Sequence, residues 1–424
     1  MPILFRLILA FTLLSVSFGG VTAGEVTAEE ILTWGDCLAE ARKNNPELIS
    51  AAEAINEERA SKDITASGLY PQISADAGVS TTKTTGTTDS YSYGVSGSQL
   101  IFDGLKSIHD LKAASENVKA KQAAYRFTSS EVRFNLRSAF INLLKAQELI
   151  RVAEEIAKIR RDSLVLITLQ HQSGLEHRGA LLTAEANSAK ANFELSQAKR
   201  DVEFSQRQLI KEMGRRDFEP ISVTGDFIVN ETAREKPDFE ELVKNNPSLL
   251  QAAFRKNSRL LGIKSAYGDF APELSASAGA GKKSSQWPPE DDQWNIGLSL
   301  KMPLFEGGLK TAQVSKAQAL FNQAEADERS IRDVAIVTFE RTWKALQDAI
   351  ETVDVQRKSL EAAEERSRIA EAQYSTGFIL FDNWIIIEDD LVRAKKSYLE
   401  AQANALLAEA NWIQAKGGTI EYAQ

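Results

Sequence analysis

The sequence predicts a mainly helical protein with a smaller β component, built from two copies of one large hairpin. Three observations support this fold class. Asn45-Pro46 recurs as Asn246-Pro247, 201 positions later. Four stretches alternate apolar with polar or small residues, and the segments between them are long and helical in pattern. A repeat of this size is too long for a solenoid, whose period is roughly 20–50 residues.

Further landmarks recur at an offset of 203: Phe102, Gly104, Gly174 and Gly214 reappear as Phe305, Gly307, Gly377 and Gly417. The two extra residues fall in the strand–loop–strand stretch, where a surface loop tolerates insertion. The landmarks divide the chain into a signal peptide (1–23), a first repeat (24–214), a linker (215–237), a second repeat (238–417) and a C-terminal tail (418–424).

The first 23 residues have the features of a secretory signal peptide. Arg6 precedes an apolar run over 7–16, and Val21-Thr22-Ala23 forms a cleavage site before Gly24. No cysteine follows that site directly, so we expect no lipid anchor there. Beyond residue 23 no apolar stretch reaches the ~20 residues of a spanning helix. Contact with a membrane would therefore have to be made by strands.

Each repeat opens with short helices. Capping boxes occur at Thr33 with Asp36 and at Asp238 with Glu241. Asn45-Pro46 and Asn246-Pro247 each put a capping residue before a first-turn proline, which restarts a helix. We predict helices over about 47–67 and 248–268 that stop before Pro71 and Pro272, because the residue before a proline is pushed towards extended geometry.

We predict strands over about 72–84, 90–102, 273–281 and 293–305. Their lengths and period of two fit membrane strands with an apolar outer face and a wet inner face. The residues expected on the inner face, towards the lumen, are Ser74, Asp76, Ser275 and Ser277, with Lys301 a further candidate. Four strands cannot close a membrane barrel alone, because lipid permits no unpaired backbone.

Very long helical segments follow the strands, at about 105–171 and 308–375. In the first, apolar and small residues alternate in steps of four and three, which is the 3.5-residue period of a coiled-coil seam. We predict that return helices over about 179–213 and 384–416 run back along them. Gly214 and Gly417 have the position of C-terminal capping glycines.

In the order and spacing of its motifs, the whole mature chain resembles the TolC family of outer-membrane efflux and secretion channels. The motifs are Asn45-Pro46-Glu47-Leu48, Asn246-Pro247-Ser248-Leu249, Leu69-Tyr70-Pro71-Gln72-Ile73, Leu100-Ile101-Phe102-Asp103-Gly104, Pro303-Leu304-Phe305-Glu306-Gly307-Gly308 and Tyr374-Ser375-Thr376-Gly377. The resemblance implies a homotrimer. Three chains would give a twelve-stranded transmembrane β-barrel that continues into a periplasmic α-helical barrel.

The family's periplasmic entrance lies at the turns between the long and return helices. The resemblance therefore implies that Gly174, Leu175, Gly377 and Phe378 contact the hairpin tips of a periplasmic adaptor. The alternative is that both glycines only end helices. Tyr374 matches a tyrosine that latches the closed entrance, although it could be an ordinary seam aromatic. Ala180 and Ile379 stand where the latch partners are expected, which puts the same hydrogen bonds in doubt.

Two acidic features near the second turn have alternative interpretations. Asp382 could form an acidic ring in a trimer, which would favour cations, or it could be the N-cap of the next helix. Glu388, Asp389 and Asp390 could line the pore, although such a charge run is usually a solvated helix face.

Enzymatic chemistry has little support in the sequence. His171 and His177 flank a predicted turn without a metal-ligand pattern, so we expect no metal site and no cofactor. No nucleotide-binding Gly-Lys-Ser/Thr loop occurs, so energy for transport would have to come from a partner. Cys37 cannot form an internal disulfide, and we expect it to be a buried helix residue. The net charge of −9 argues against nucleic acid as a partner.

We therefore predict a passive channel in the outer membrane of a Gram-negative bacterium. It would be the exit duct of a tripartite efflux pump or a type I secretion system, in contact with outer-membrane lipid, a periplasmic adaptor and an inner-membrane transporter. The alternative is a secreted or periplasmic structural coiled-coil protein, which accounts for the helices but not for the four alternating stretches. Fractionation distinguishes the two.

Overall fold

The computed structural model describes residues 30–83, 87–229 and 236–421. The expected signal peptide, part of the expected linker and the last three residues of the tail lie outside this range. The elements are β1 (Glu30–Leu32), α1 (Trp34–Asn44), α2 (Pro46–Ser67), β2 (Gln72–Lys83), β3 (Thr87–Phe102), α3 (Lys106–Gln172), α4 (Arg178–Met213), β4 (Ile221–Val223), α5 (Phe239–Val243), α6 (Pro247–Gly268), β5 (Glu273–Ser284), β6 (Asp292–Lys301), α7 (Leu309–Ser375) and α8 (Phe381–Ala415).

The chain is mostly helical with some sheet, as predicted. The helices α3 and α7 each have 67 residues, which at 1.5 Å per residue is about 100 Å. None of the helices in the described ranges combines the length and the apolar character needed to cross a membrane.

The sheet follows the order β2-β3-β5-β6, with every pair antiparallel. The strand predicted over 293–305 was too long, since β6 ends at Lys301. Lys301 pairs with Glu273, the first residue of β5, so β5 offers no partner to the residues that follow. Pro303 also lacks a backbone N–H. Conversely, β3 and β5 exceed the predictions, because β3 begins at Thr87 and β5 continues to Ser284.

The register gives the sheet one polar and one apolar face, because paired residues of antiparallel strands share a face. Ser74 pairs with Ser96, which pairs with Gly279, and that row is polar or small throughout. The other face exposes Ile73, Val79, Val95, Trp294, Ile296, Leu298 and Leu300. A contiguous apolar surface of this kind marks contact with a membrane or a partner.

The repeated Asn-Pro motif has a structural role in both copies. The Asn45 side chain accepts the backbone N–H of Glu47, which caps α2, and its amide donates to the carbonyl of Glu212 at 2.8 Å. In the second copy Asn246 caps α6 and donates to the carbonyl of Ala415 at 3.3 Å. The motif therefore joins the start of one helix to the end of the return helix.

The helices form a wall in which α3 and α7 run through both levels. Near the sheet, the packing order is α2, α3, α6, α7. Further away, α3 packs against α4 and α8, and α8 packs against α7, which gives the order α4, α3, α8, α7. Helix α7 is therefore one edge of the wall at both levels. The opposite edge is α2 near the sheet and α4 further away, and both of these belong to the first repeat.

A small two-stranded sheet, β1 paired in parallel with β4, was not predicted. Each strand has three residues, which is too short to show a periodicity. Leu32, Ile221 and Val223 from these strands pack into the largest apolar core with Val132 and Leu136 of α3. The core also contains Cys37, which is fully buried as expected, and burial raises the pKa of its thiol to about 12.

The C-terminal segment is held against α3 by side-chain hydrogen bonds. The Glu421 carboxylate accepts from Tyr125 at 3.0 Å and from Ser129 at 2.8 Å. Arg133 donates to the carbonyl of Thr419 at 3.0 Å. Burial raises the pKa of Glu421, but the hydrogen bonds from Thr419, Ser129 and Tyr125 outweigh it and leave the pKa lowered. The carboxylate form therefore stabilises the fold.

We expect Glu421→Gln to lower the free energy of unfolding at pH 7, because it replaces the charged acceptor of the hydrogen bonds from Tyr125 and Ser129. The loss should be only about 1 kcal/mol, because Glu421 is partly exposed and solvent weakens the interaction. Because folding lowers the pKa of Glu421, its contribution is present above the unfolded value of about 4.3 and is lost as the pH falls through the folded value. Thermal melts of wild type and variant should therefore differ at pH 7 and converge as the pH falls below the unfolded value. Glu371→Gln, at an exposed site, is the control; a difference that persists in acid would contradict this assignment.

Candidate functional site

The two tip turns join the long helices to the return helices at the end far from the sheet. Gly174 and Gly377 adopt φ of +76° and +77°, which favours glycine at both positions. The next residues, Leu175 and Phe378, are 77% and 83% exposed. Two large apolar side chains so exposed at adjacent turns form a surface suited to a protein partner.

An apolar cluster lies directly behind the turns and includes residues from both repeats of the chain. Its buried members are Ile167, Ala180, Ala184, Ala370, Tyr374, Phe381 and Trp384. Tyr374 and Trp384 stack with ring centroids 4.5 Å apart and an interplanar angle of 8°. The cluster couples the position of α8 to that of α3 and α4.

Tyr374, in the second repeat, also makes polar contacts with residues of the first repeat. Its hydroxyl donates to Glu176 Oε1 at 3.0 Å and lies in hydrogen-bond contact with Gln170. Burial raises the pKa of Tyr374, and the nearby Glu176 carboxylate raises it further. The sequence indicated no acidic partner because the expected position holds Ala180. The acidic partner, Glu176, comes from the turn itself, four residues before Ala180.

Asp382 is not an N-cap, so that interpretation was wrong. Helix α8 begins at Phe381 with Leu380 as its N-cap residue, and Leu380 makes no side-chain capping bond. Asp382 lies in the first turn and is exposed. Its charge interacts favourably with the positive end of the helix dipole there.

The acidic run on α8 is not a uniform solvated face. Glu388 is 3% exposed and accepts a hydrogen bond from Ser367 of α7 at 2.5 Å. Asp389 pairs with buried Arg160 of α3, and Asp390 pairs with Arg393. The buried Ser163 and Ser188 lie one turn from Ile167 and Ala184 of the tip cluster. A polar layer therefore lies behind the apolar cluster.

The histidines beside the first turn have local partners. His171 Nδ1 lies 3.0 Å from the carbonyl oxygen of Glu176. His177 Nδ1 accepts the backbone N–H of Ala180 at 3.1 Å, which caps α4. Within the described ranges, no cluster of His, Cys, Asp and Glu side chains could hold a metal ion.

The residues predicted to face the lumen share the polar face of the sheet. Ser74 and Asp76 are two residues apart on β2 and therefore lie on the same face of that strand, and the same holds for Ser275 and Ser277 on β5. The register aligns the two pairs, because β3 links Ser74 through Ser96 to Gly279, two residues from Ser277. Ser74 and Ser96 are also joined by a hydroxyl–hydroxyl hydrogen bond of 3.0 Å.

Long paired helices, tip turns with exposed apolar residues and a two-faced sheet define a channel-type protein. The chain belongs to the outer membrane efflux protein family, whose model matches residues 37–215 and 239–418, one segment for each copy. It is thus an outer-membrane transport protein and not an enzyme.

Comparisons with individual proteins agree with this family. The chain is 21% identical over 422 residues to the outer membrane efflux protein BepC of Brucella suis biovar 1, covering 97% of this chain and 90% of BepC. It is 23% identical over 415 residues to the outer membrane protein TolC of Escherichia coli strain K12, covering 90% and 81%. A crystal structure of CusC superposes with a TM-score of 0.82 at 19% identity, covering 90% and 91%.

We expect Tyr374→Phe to loosen the tips, because it removes the hydroxyl that bonds Glu176 and Gln170 but keeps the ring stacked on Trp384. A hydrogen bond to a charged acceptor stabilises by about 1.5–3 kcal/mol, so backbone amide exchange near residues 170–180 and 370–385 should accelerate by roughly tenfold or more. Hydrogen exchange with mass spectrometry measures this, with Tyr398→Phe on α8 as the control. Equal exchange in both variants would show that the hydroxyl does not hold the tips together.

Proposed function

We propose that the chain forms a homotrimeric channel that crosses the outer membrane as a twelve-stranded β-barrel and continues into the periplasm as an α-helical barrel. It serves as the exit duct of a tripartite efflux pump or type I secretion system. The observation that carries the proposal is the four-stranded sheet, which has one exposed apolar face and is continuous with helices about 100 Å long.

The unpaired sheet edges support the trimer. Within the described residues, the outer edges of β2 and β6 have no strand partner. Lipid leaves no water to satisfy such backbone groups, so the edges pair with other copies of the chain. Three copies give twelve strands, between the filled eight-stranded barrels and the open sixteen-stranded porins, which suits a conduit.

The faces of the sheet support the barrel's orientation. Ile296, Leu298 and Leu300 face lipid, and Ser74, Asp76, Ser275 and Ser277 face a wet lumen. The same pattern is typical of outer-membrane barrels. The aromatic pair Tyr91 and Trp287, with ring centroids 6.1 Å apart, belongs to the interface at the loop end of the sheet.

The tips form the periplasmic entrance. Leu175 and Phe378, held out by the turns at Gly174 and Gly377, are the surface on which a periplasmic adaptor docks. Tyr374, through Glu176 and Gln170, holds the entrance closed until the adaptor and an inner-membrane transporter shift the helix pairs to a second packing.

Fractionation and electrophysiology test the channel directly. We expect the protein to stay in outer membranes washed with salt and urea, to be extracted only by detergent as a trimer, and to conduct ions in planar bilayers. A coiled-coil rod would wash off and would not conduct. Release by urea, or a stable monomer without conductance, would contradict the proposal.

We propose that Asp382 of three copies forms an acidic ring at the entrance, which favours cations. Asp382→Asn should therefore lower the cation preference measured from reversal potentials in a salt gradient, at unchanged trimer content. Glu371→Gln, an exposed carboxylate on α7, serves as the control. An unchanged reversal potential in Asp382→Asn would remove Asp382 from the conduction path.

A further inference from the structure

We infer that each contact between neighbouring copies reproduces the contact between the two repeats within one chain, and that it contains two ion pairs, Glu203–Lys344 and Asp76–Lys301. The inference rests on the proposed trimer and names the surfaces that form it. In each ion pair, the two residues belong to two neighbouring chains of the trimer. Among the residues that the structure describes, none of these four side chains has an ion-pair partner in its own chain.

The packing order of the helices predicts which helices meet between neighbouring chains. Within the chain, α8 of the second repeat packs against α3 of the first. The repeat offset of 203 maps α3 onto α7 and α8 onto α4, since Lys106 corresponds to Leu309 and Arg178 to Phe381. The same contact between chains would therefore join α4 of one chain to α7 of the next, which are the two edges of the wall.

The internal α3–α8 contact then predicts the residues at the α4–α7 contact. Ile141 of α3 and Leu406 of α8 are buried together in one apolar cluster. Shifted by 203, Ile141 becomes Lys344 and Leu406 becomes Glu203. An apolar pair is thus replaced by two side chains of opposite charge, both of which are exposed in the single chain.

Neighbouring positions agree with this register. The ion pair between Lys145 and Glu400 maps onto Asp348 and Gln197, which can form a hydrogen bond. Leu407, packed beside the Ile141 cluster, maps onto Phe204, which is 62% exposed. An exposed phenylalanine at this position is explained if a second copy covers it.

The sheet leads to the same arrangement independently. Within the chain, β3 pairs with β5, and Ser98 lies opposite Ser277. The offset of 203 maps Ser98 onto Lys301 of β6, and the offset of 201 maps Ser277 onto Asp76 of β2. Pairing β6 of one copy with β2 of the next therefore sets Lys301 opposite Asp76. Opposite charges at directly paired positions stabilise a sheet.

The pairing between chains would also provide a partner for the residue after Lys301, at which β6 ends in the single chain. The internal partners Gln99 and Ala276 map onto Met302 and Ala75. A neighbouring β2 would therefore extend β6 beyond Lys301, where β5 no longer provides a partner.

Disulfide cross-linking of the full-length protein in native outer membranes tests both contacts. We expect Glu203→Cys with Lys344→Cys, and separately Asp76→Cys with Lys301→Cys, to form covalent trimers on non-reducing gels. The matched controls are Glu203→Cys with Lys358→Cys, about 21 Å along α7, and Asp76→Cys with Asn295→Cys, about 20 Å along β6. They should link about tenfold less, because a disulfide needs Cα atoms within roughly 7 Å. Cys37 is fully buried and does not compete.

Charge reversal provides a second measurement that needs no oxidation. Glu203→Lys and Lys344→Glu should each lower the temperature at which the detergent-extracted trimer dissociates, and the double reversal should restore it. No restoration, or equal cross-linking in the controls, would overturn the inference.

The two proposals fail separately. Trimers that conduct ions but do not cross-link at these positions would overturn the contacts and leave the channel intact. Trimers that cross-link as expected but do not conduct would contradict the channel and leave the contacts intact.

Discussion

Backbone hydrogen bonding at the sheet edges is the constraint on which the rest of the structure depends. A four-stranded sheet with a lipid-facing apolar surface cannot leave its edge N–H and C=O groups unpaired, because each such group is costly where water is absent. In the proposed trimer, repetition resolves this. The step that joins the first repeat to the second within one chain would be repeated between chains until the barrel closes, so one contact geometry would serve both purposes.

The two repeats differ in the residue that precedes each tip turn. In the first repeat, His171 occupies the position that Tyr374 holds in the second, and its ring contacts the local carbonyl of Glu176. Tyr374 instead reaches across to Glu176 and Gln170 of the first copy. The second hairpin therefore supplies the hydroxyl and the first supplies its two hydrogen-bond partners, so moving either hairpin breaks the contact. The contact between the two tips is therefore asymmetric.

Sequence patterns predicted the large elements because these have clear physical signals. The first of the two 67-residue helices has a 3.5-residue period in its apolar and small residues, and the strands alternate polar and apolar residues over ten or more positions. Elements that depend on distant partners were not predictable. Strands β1 and β4 are too short for a period, the end of β6 depends on where β5 begins, and the burial of Glu388 depends on Ser367 of α7. The partner of Tyr374 was missed because it lies in the turn.

Amide protection of the two edge strands tests the central constraint most directly. Hydrogen exchange should be measured on the protein in lipid nanodiscs, comparing β2 and β6 with the inner strands β3 and β5. If neighbouring copies complete the sheet, amides of β2 and β6 will be protected to the same degree as those of the inner strands. Rapid exchange along the outer edges of β2 and β6, with β3 and β5 protected, would mean that the sheet remains open and that one chain does not share a barrel with its neighbours.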